Sequence, residues 1–234
     1  MKALATSEWQ TSGLPGKLLL RLPLITETDF VIHPPGCPER KRAEAYVYEK
    51  FRDIYDARIG HFLPYLLGLK FQDRFSAMVG LRPAETGPLF LEQYLHYPIE
   101  QEIGLRFHNA VPRDDIVELG NLVSSWRGSS QLLFLFLVAF LTKMRRKWVV
   151  FTATREVERL LGKMDFNVSV LTEADPARLQ DPQESWGNYY DNSPRVMFGH
   201  IPGALEILKK NSMAGKTLEY FAADLERVIS ASAF

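Results

Sequence analysis

IVELGNLVSSWRGSSQLLFLFLVAFL, residues 116–141, sets a strand-like run carrying one carboxylate, Glu118, before an Arg-Gly-Ser turn and ten unbroken apolar residues. The apolar run, Leu132 to Leu141, decides what kind of protein this is. A helix crossing a bilayer needs about 20 apolar residues. Ser129, Ser130 and Gln131 precede this run, and Lys143, Arg145, Arg146 and Lys147 follow it. So short a helix, apolar all round, belongs in a protein core. The preceding IVELGNLV flanks its glutamate with apolar residues instead of alternating, as expected of a central strand covered on both faces.

Elements alternate outward from this stretch. EAYVYEKFRDIYDARI (44–59) has helical spacing, with Tyr48, Phe51, Ile54 and Tyr55 on one stripe. HFLPYLLGLK and FSAMVGLRPAE read as strands ended by turn residues. GPLFLEQYLHYPIEQEI opens at a Gly-Pro turn and continues as a helix broken or kinked at Pro98. WVVFTAT is a buried strand, REVERLLGKMDF a short helix and NVSVL a further strand, after which WGNYYDNSPRVMFGHI is a polar aromatic loop feeding a last strand. TLEYFAADLERVI closes the chain as one amphipathic helix on Leu218, Phe221, Leu225 and Val228. The expected architecture is α/β with a mixed sheet. Residues 1–43, punctuated by Pro15, Pro23, Pro34, Pro35 and Pro38, form an arm or edge-strand region. The main domain is 44–203, and 204–234 is the C-terminal helix.

Of 234 residues, 46% are hydrophobic and 12% aromatic, ample for a core and against a disordered chain. Lys+Arg and Asp+Glu both total 28, which argues against a nucleic-acid binder with its basic surplus. The single cysteine, Cys37, excludes an internal disulfide and a multi-cysteine metal site; it sits in PPGCPE without a recognisable base. His33, His61, His96, His108 and His200 lack metal-ligand spacing, so no catalytic metal is expected. The opening MKALATSEWQ lacks the apolar run of a secretory signal, and the expected compartment is the cytoplasm.

A strand, a turn of small residues and a helix start can cradle an anion. The first helical N–H groups have no intrahelical partner, and the dipole adds positive charge. Gly128, Ser129 and Ser130 would admit a phosphate, with Arg127 adding a charged contact. An ordinary strand–helix turn capped by serine fits the same residues.

ELGNLVSSWRGSS followed by the apolar helix resembles the acyl-CoA-binding core of the GNAT acyltransferases, in which two strands splay apart and an R/Q-x-x-G-x-G/A loop holds a pyrophosphate. The loop here departs from that pattern at Ser125 and Ser130. ERLLGKMDF resembles the superfamily's "lyeklGF" turn, with Asp165 in place of Gly and Leu160 and Leu161 near the position of a tyrosine acid. SAMVGLRPAETGPLFLEQYL followed by IVELGNLV is similar to the acyl-homoserine-lactone synthases. Arg82 matches the Arg that ends their strand, and Glu118 the Glu of "WELSRF", whereas Asn121 replaces the following Arg and Val117 the Trp. Asp53 and Asp56 in KFRDIYDARIGHF loosely echo their acidic motif. GLRPAETGPLFLEQYL, YPIEQEI, DDIVELGNLV, WVVFTAT and WGNYYDNSPRV together resemble the thermostable-hemolysin family over residues 45–201.

These resemblances imply an acyltransferase-like fold and an N-acyltransferase. It would move a fatty acyl group from acyl-CoA or acyl-carrier protein to the amine of a small amino-acid-type acceptor, with no tightly bound cofactor. Aminolysis of a thioester needs a neutral amine, a polarised carbonyl and a proton for the thiolate. Glu118 would take the amine proton, its pKa raised by burial, or else anchor a neighbouring helix start. Tyr189 and Tyr190 could donate a proton, with Trp186 as a pocket wall; a packed aromatic loop is the plainer alternative. Asn121, Leu122 and backbone N–H near Val123 would meet the donor, opposite Thr152 and Thr154. Arg82 and Glu92 would hold the acceptor's carboxylate and amine. Lys143, Arg145, Arg146 and Lys147 suit a helix C-terminus, and could also dock an acidic carrier protein. Two other functions fit the sequence: a membrane-active lytic protein, which must release an apolar helix toward lipid, and a binding protein that kept the fold without the chemistry.

Overall fold

The structure, a computed structural model, describes residues 27–125, 128–180 and 185–232. Its frame is one sheet of seven strands: β1 (Thr28–His33), β2 (Tyr65–Phe71), β3 (Arg74–Pro83), β4 (Ile116–Ser124), β5 (Trp148–Ala153), β6 (Val168–Glu173) and β7 (Arg195–His200). They lie in the order β1-β2-β3-β4-β5-β7-β6, and only the β4–β5 pair is parallel. The β2–β3 hairpin turns on Gln72 and Asp73, both at positive φ, as a two-residue loop that keeps the sheet's twist requires. β1, within the proline-punctuated N-terminal region, forms the edge beside β2.

Helix α1 (Arg40–Tyr55) ends at Asp56, in the left-handed conformation. The helix expected within 87–103 divides. A 3-10 turn covers Phe90–Tyr94, and α2 (Ile99–Phe107) begins after Pro98, which cannot donate to a continuing helix. The apolar run becomes α3 (Ser129–Lys143), with every residue from Leu132 to Leu141 buried. One side of α3 lies on the sheet, where Phe136 stacks on Phe30 at 3.7 Å between ring centres. The C-terminal helices cover the other side, so the apolar run of α3 is buried all round. Among the described residues no helix is long and apolar enough to cross a membrane.

Helix α4 (Arg155–Lys163) links β5 to β6. The single helix expected at the C-terminus is instead three: α5 (Ile201–Lys210), α6 (Ser212–Tyr220) and α7 (Ala222–Ser232). The expected span breaks at Phe221, which is buried and packs edge-on against Phe30 at 5.0 Å. Anchoring that ring in the core turns the chain between α6 and α7, a tertiary demand that local periodicity does not carry.

Two features of the sheet create the site. First, β4 and β5 pair only where Ile116–Leu119 meets Trp148–Phe151; β5 runs on with β7 to Ala153, while β4 runs on with β3 to Ser124. The two central strands therefore stand apart beyond Leu119 and Phe151. Second, the β3–β4 register slips between Met78–Val123 and Gly80–Gly120, leaving Asn121 and Leu122 opposite Val79 alone. This is a β-bulge, which breaks the ladder and bends the strand. Asn121 takes φ 50° there. Gly80 faces it, and a Cβ on Gly80 would stand 2.8 Å from Asn121 Oδ1 and 2.9 Å from Leu63 Cβ, so only glycine fits.

Alternation along the strands sorts their side chains. Val117, Leu119, Phe151 and Met197 join the core under α3, whereas Ile116, Val150, Val196 and Phe198 join a second core that includes Ile99 and Ile103 of α2. Glu118, between Val117 and Leu119, faces the second side.

Candidate active site

A cavity of about 620 Å³ occupies the gap between β4 and β5, and both faces of the sheet contribute to its lining. On the α3 side the walls are apolar: Phe134, Leu137 and Val138 of α3, Val157 and Leu161 of α4, and Val149 of β5. On the opposite side stand Glu118, Arg82, Tyr94, Tyr190 and Trp186. Thr152 of β5 and Thr154, the residue before α4, line the wedge together with Asn121 and Leu122 of β4. The chamber thus joins an apolar half to a half carrying titratable groups.

Glu118 is 2% exposed. Its carboxylate accepts hydrogen bonds from the backbone N–H of Leu91 at 2.8 Å and of Phe90 at 3.1 Å, at the start of the 3-10 turn. Burial pushes its pKa up to about 7, against the pull of those two N–H groups and the nearby Arg82. Arg82 is its register partner on β3 and donates to the Pro88 carbonyl at 3.1 Å. The carboxylate thus anchors a turn and at the same time lines the cavity. A carboxylate poised near neutrality can exchange protons at physiological pH.

The aromatic wall rests on a close approach of two loops. Gly187 has φ 51°, and a Cβ there would lie 1.9 Å from the Tyr55 carbonyl oxygen. Asn188 N–H donates to that carbonyl at 2.8 Å and Arg58 N–H to the Ser185 carbonyl at 2.6 Å, tying the segment to the end of α1. Trp186 packs on Phe90 at 5.7 Å and on Tyr189 at 5.6 Å; Tyr189 packs edge-on against Tyr55 at 5.1 Å. The Tyr190 hydroxyl hydrogen-bonds the Tyr94 hydroxyl at 2.6 Å. Burial raises the pKa of Tyr94 and of Tyr189, keeping both hydroxyls protonated.

Several expected residues lie elsewhere or serve the scaffold. Glu92 is outside the cavity lining. It accepts from the N–H groups of Leu89 at 2.7 Å and Ile99 at 2.9 Å, and from Arg113 at 2.7 and 2.9 Å. Burial opposes its ionisation, yet the Arg113 and backbone bonds prevail and lower its pKa. Val123, Gly128, Ser129 and Ser130 are not among the lining residues either. Gly128 (φ 95°) is the residue before α3, and the serine hydroxyls turn inward, Ser129 to the Ser76 carbonyl at 3.2 Å and Ser130 to Ser124 at 2.8 Å. Arg127 lies outside the described residues. Asn121 lines the cavity while its amide accepts from Leu63 N–H at 2.8 Å and donates to the His61 carbonyl at 3.3 Å, fixing the bulge. Of the basic residues at the end of α3 and beyond it, Lys143 pairs with Glu226, Arg146 with Glu85 and Lys147 with Asp115. Those carboxylates neutralise most of the expected docking patch.

Tyr94 escaped the sequence reading as a site residue because, with Leu91, Leu95 and Ile99, it sits in an apolar stripe that spells helix. Arg113 escaped it because its role is to gather carbonyls and carboxylates distant in sequence: Ala84 at 2.7 Å, Gly87 at 2.9 Å, Glu92, and Glu100 at 2.5 Å.

Similarity to known proteins agrees with this geometry. No curated protein matches the sequence. Among solved structures, a CoA-dependent acyl-homoserine lactone synthase, BjaI, with SAM and isopentyl-CoA, superposes with a TM-score of 0.54 at 13% identity, over 80% of this chain and 90% of its own. FeeM, an N-acyl amino acid synthase from uncultured soil microbes, superposes with a TM-score of 0.51 at 12% identity, over 80% and 98%. At such identities the likeness is one of fold: a GNAT-like core of the acyl-homoserine-lactone-synthase kind. The thermostable hemolysin family model matches residues 33–205, most of the chain, and the protein belongs to that family.

Proposed function

We propose that the protein is an N-acyltransferase that moves a fatty acyl group from a thioester, of CoA or of a carrier protein, to the amine of a small amino-acid-type acceptor. The observation that carries this is Glu118: a buried carboxylate with a pKa of about 7 at the apex of a wedge between parallel strands, next to an apolar chamber. The donor arm lies between Asn121 and Leu122 on one side and Thr152 and Thr154 on the other. Its acyl chain enters the apolar half against α3, where burial contributes about 0.8 kcal/mol per methylene. Arg82 holds the acceptor's carboxylate.

Ionised Glu118 takes a proton from the acceptor's ammonium group. The freed amine lone pair forms the C–N bond at the thioester carbonyl, and the C–S bond breaks as the sulfur leaves with its electron pair. The proton shed by nitrogen on becoming an amide passes through the Tyr94–Tyr190 hydroxyl pair to the thiolate. The proton held by Glu118 returns to solvent. Direct transfer needs no acyl-enzyme and no bound cofactor, and acyl thioesters place the reaction in the cytoplasm.

The test is mass spectrometry of lipids from cells overproducing the protein, followed by the purified reaction with acyl-CoA or acyl-carrier protein and amino acids. A new N-acyl product is expected, and Glu118→Gln should lower its formation at least a hundredfold with the fold retained. Failure of every donor and acceptor pair, together with dye leakage from liposomes without donor, would replace acyl transfer with a lytic function.

A further inference from the structure

The 3-10 turn over Phe90–Tyr94 that roofs Glu118 has two ends, and different parts of the chain hold them. Its first N–H groups go to the Glu118 carboxylate. The last carbonyls of a helical turn have no partner within the turn and must find one outside it. Here the carbonyls of Tyr94 and Leu95 both accept from Arg178, through Nη1 and Nη2 at 2.9 Å each. A planar guanidinium fork suits two neighbouring oxygens, and its charge strengthens both bonds.

Arg178 is itself fixed. It ends a short 3-10 turn, Pro176–Arg178, whose start is capped by the Asp175 carboxylate accepting from Ala177 N–H at 2.9 Å. Leu179 packs against the core that contains Tyr94. Gln180 N–H then donates to Gln93 Oε1 at 3.0 Å, and Gln93 Nε2 donates to the Phe90 carbonyl at 3.0 Å. The connection between β6 and β7 thus grips the roof turn at the end that Glu118 does not reach.

That connection also carries Tyr190, whose hydroxyl meets the Tyr94 hydroxyl at 2.6 Å. The two hydroxyls therefore come from segments distant in sequence, and the fork of Arg178 is the charged tie between those segments. Tyr94 and Tyr190 line the cavity, whereas Arg178 is not among its lining residues. It can reach the chemistry only through the turn that it holds. Taking the acyl transfer proposed above as given, we infer that Arg178 is a positioning residue for protonation of the leaving thiolate: its hold on the Tyr94 and Leu95 carbonyls sets the contact between the Tyr94 and Tyr190 hydroxyls.

The experiment compares Arg178→Met, which keeps an apolar stem and removes both donors, with Arg178→Lys, which keeps the charge without the fork. Small displacements of a reacting group are costly, so Arg178→Met should lower kcat about tenfold or more while KM for donor and acceptor is kept. Arg178→Lys should recover part of the loss. The rise of rate with pH near 7 that Glu118 imposes should stay in place, because Arg178 holds the other end of the turn. In a Tyr94→Phe/Tyr190→Phe background Arg178→Met should lower kcat no further, since the contact it positions is already gone. A full additional loss in that background, a rise in KM with kcat kept, or a displaced pH limb overturns the inference. If the methionine variant does not fold, Arg178→Lys serves in both backgrounds. Thermal unfolding reads the same coupling without any donor. Tyr190→Phe should lower Tm in the wild type and change it little in Arg178→Met. That result with no acyl product would sink acyl transfer and leave Arg178 as the anchor of the pair, whereas equal Tm changes in both backgrounds sink the anchor.

Discussion

Glu118 and Leu91 are joined by a 2.8 Å hydrogen bond, carboxylate accepting from backbone N–H, between the central strand and the turn that roofs it. The bond holds the ionised form in place while burial opposes it, and burial prevails: the pKa rises to about 7. Over the range from the ordinary carboxylate value to about 7, the folded protein keeps a proton that the unfolded chain has released. The associated stability is fully present below the ordinary range and is lost as pH rises through about 7. The shift corresponds to about 3 kcal/mol. Thermal unfolding between pH 4.5 and 8 should show the wild type losing stability relative to Glu118→Gln. Parallel profiles would mean that the carboxylate is ionised throughout.

Catalysis has the opposite requirement, because only the ionised carboxylate accepts a proton. Turnover should rise with pH along a limb near 7 and then level, and Glu118→Gln should abolish the limb. Rates measured by product mass spectrometry that are flat from pH 5.5 to 8.5 would remove Glu118 as the base.

Arg113 is the knot of the segment that supplies the N–H groups to Glu118. It binds Glu92, Glu100 and the carbonyls of Ala84 and Gly87, while Glu92 caps Leu89 and Ile99. Arg113→Met leaves Glu92 half-buried without its cation, which should destabilise the protein by about 3 kcal/mol. Glu92 raises the pKa of Glu118 by its charge, and losing the neutralising guanidinium strengthens that effect. The activity limb should therefore move to higher pH. A stability loss with the limb unmoved would confine Arg113 to the scaffold.

How much of this could be read from the chain depends on whether the signal is local. The run Leu132–Leu141 declares a core helix by its length, and IVELGNLV a covered central strand by its composition; both are so in the fold. Glu118, Arg82, Trp186 and Tyr190 stand out as polar or aromatic residues within matching motifs, and the cavity brings them together. Glu92 lies in the same motif, yet its partners Ile99 and Arg113 are set by how a loop returns, so an acceptor ligand and a structural cap look alike in sequence. The serines after β4 resemble an anion cradle until Ser76 and Ser124 are found beneath them. The break at Phe221 depends on Phe30, nearly two hundred residues away.

Tyr94 and Tyr190 form one unit, with the Tyr94 hydroxyl buried and bonded to Tyr190. Tyr190→Phe removes that partner and should cost about 1–2 kcal/mol, whereas removing both hydroxyls should cost less than the two single changes added. A proton path through the pair further requires that either single variant slow thiol release, seen as a lower kcat with KM kept. Additive stability effects, or an unchanged kcat, would reduce the pair to packing.

Gly187 sets how closely the aromatic wall approaches α1. Its φ of 51° is strained for any residue with a side chain, and an added Cβ would collide with the Tyr55 carbonyl oxygen at 1.9 Å. In Gly187→Ala the segment must withdraw, breaking the Asn188–Tyr55 bond and carrying Trp186, Tyr189 and Tyr190 away from Phe90 and Tyr94. The strain alone amounts to about 1 kcal/mol, and the lost contacts add to it. The core beneath α3 lies on the other face of the sheet and should be unaffected, so the far-ultraviolet circular dichroism should match the wild type. Tryptophan fluorescence should shift to the red as Trp186 gains solvent, and acceptor KM should rise more than donor KM, because the aromatic wall stands on the Glu118 side of the cavity. A donor KM that rises equally would place the acyl thioester, not the amine, against this wall.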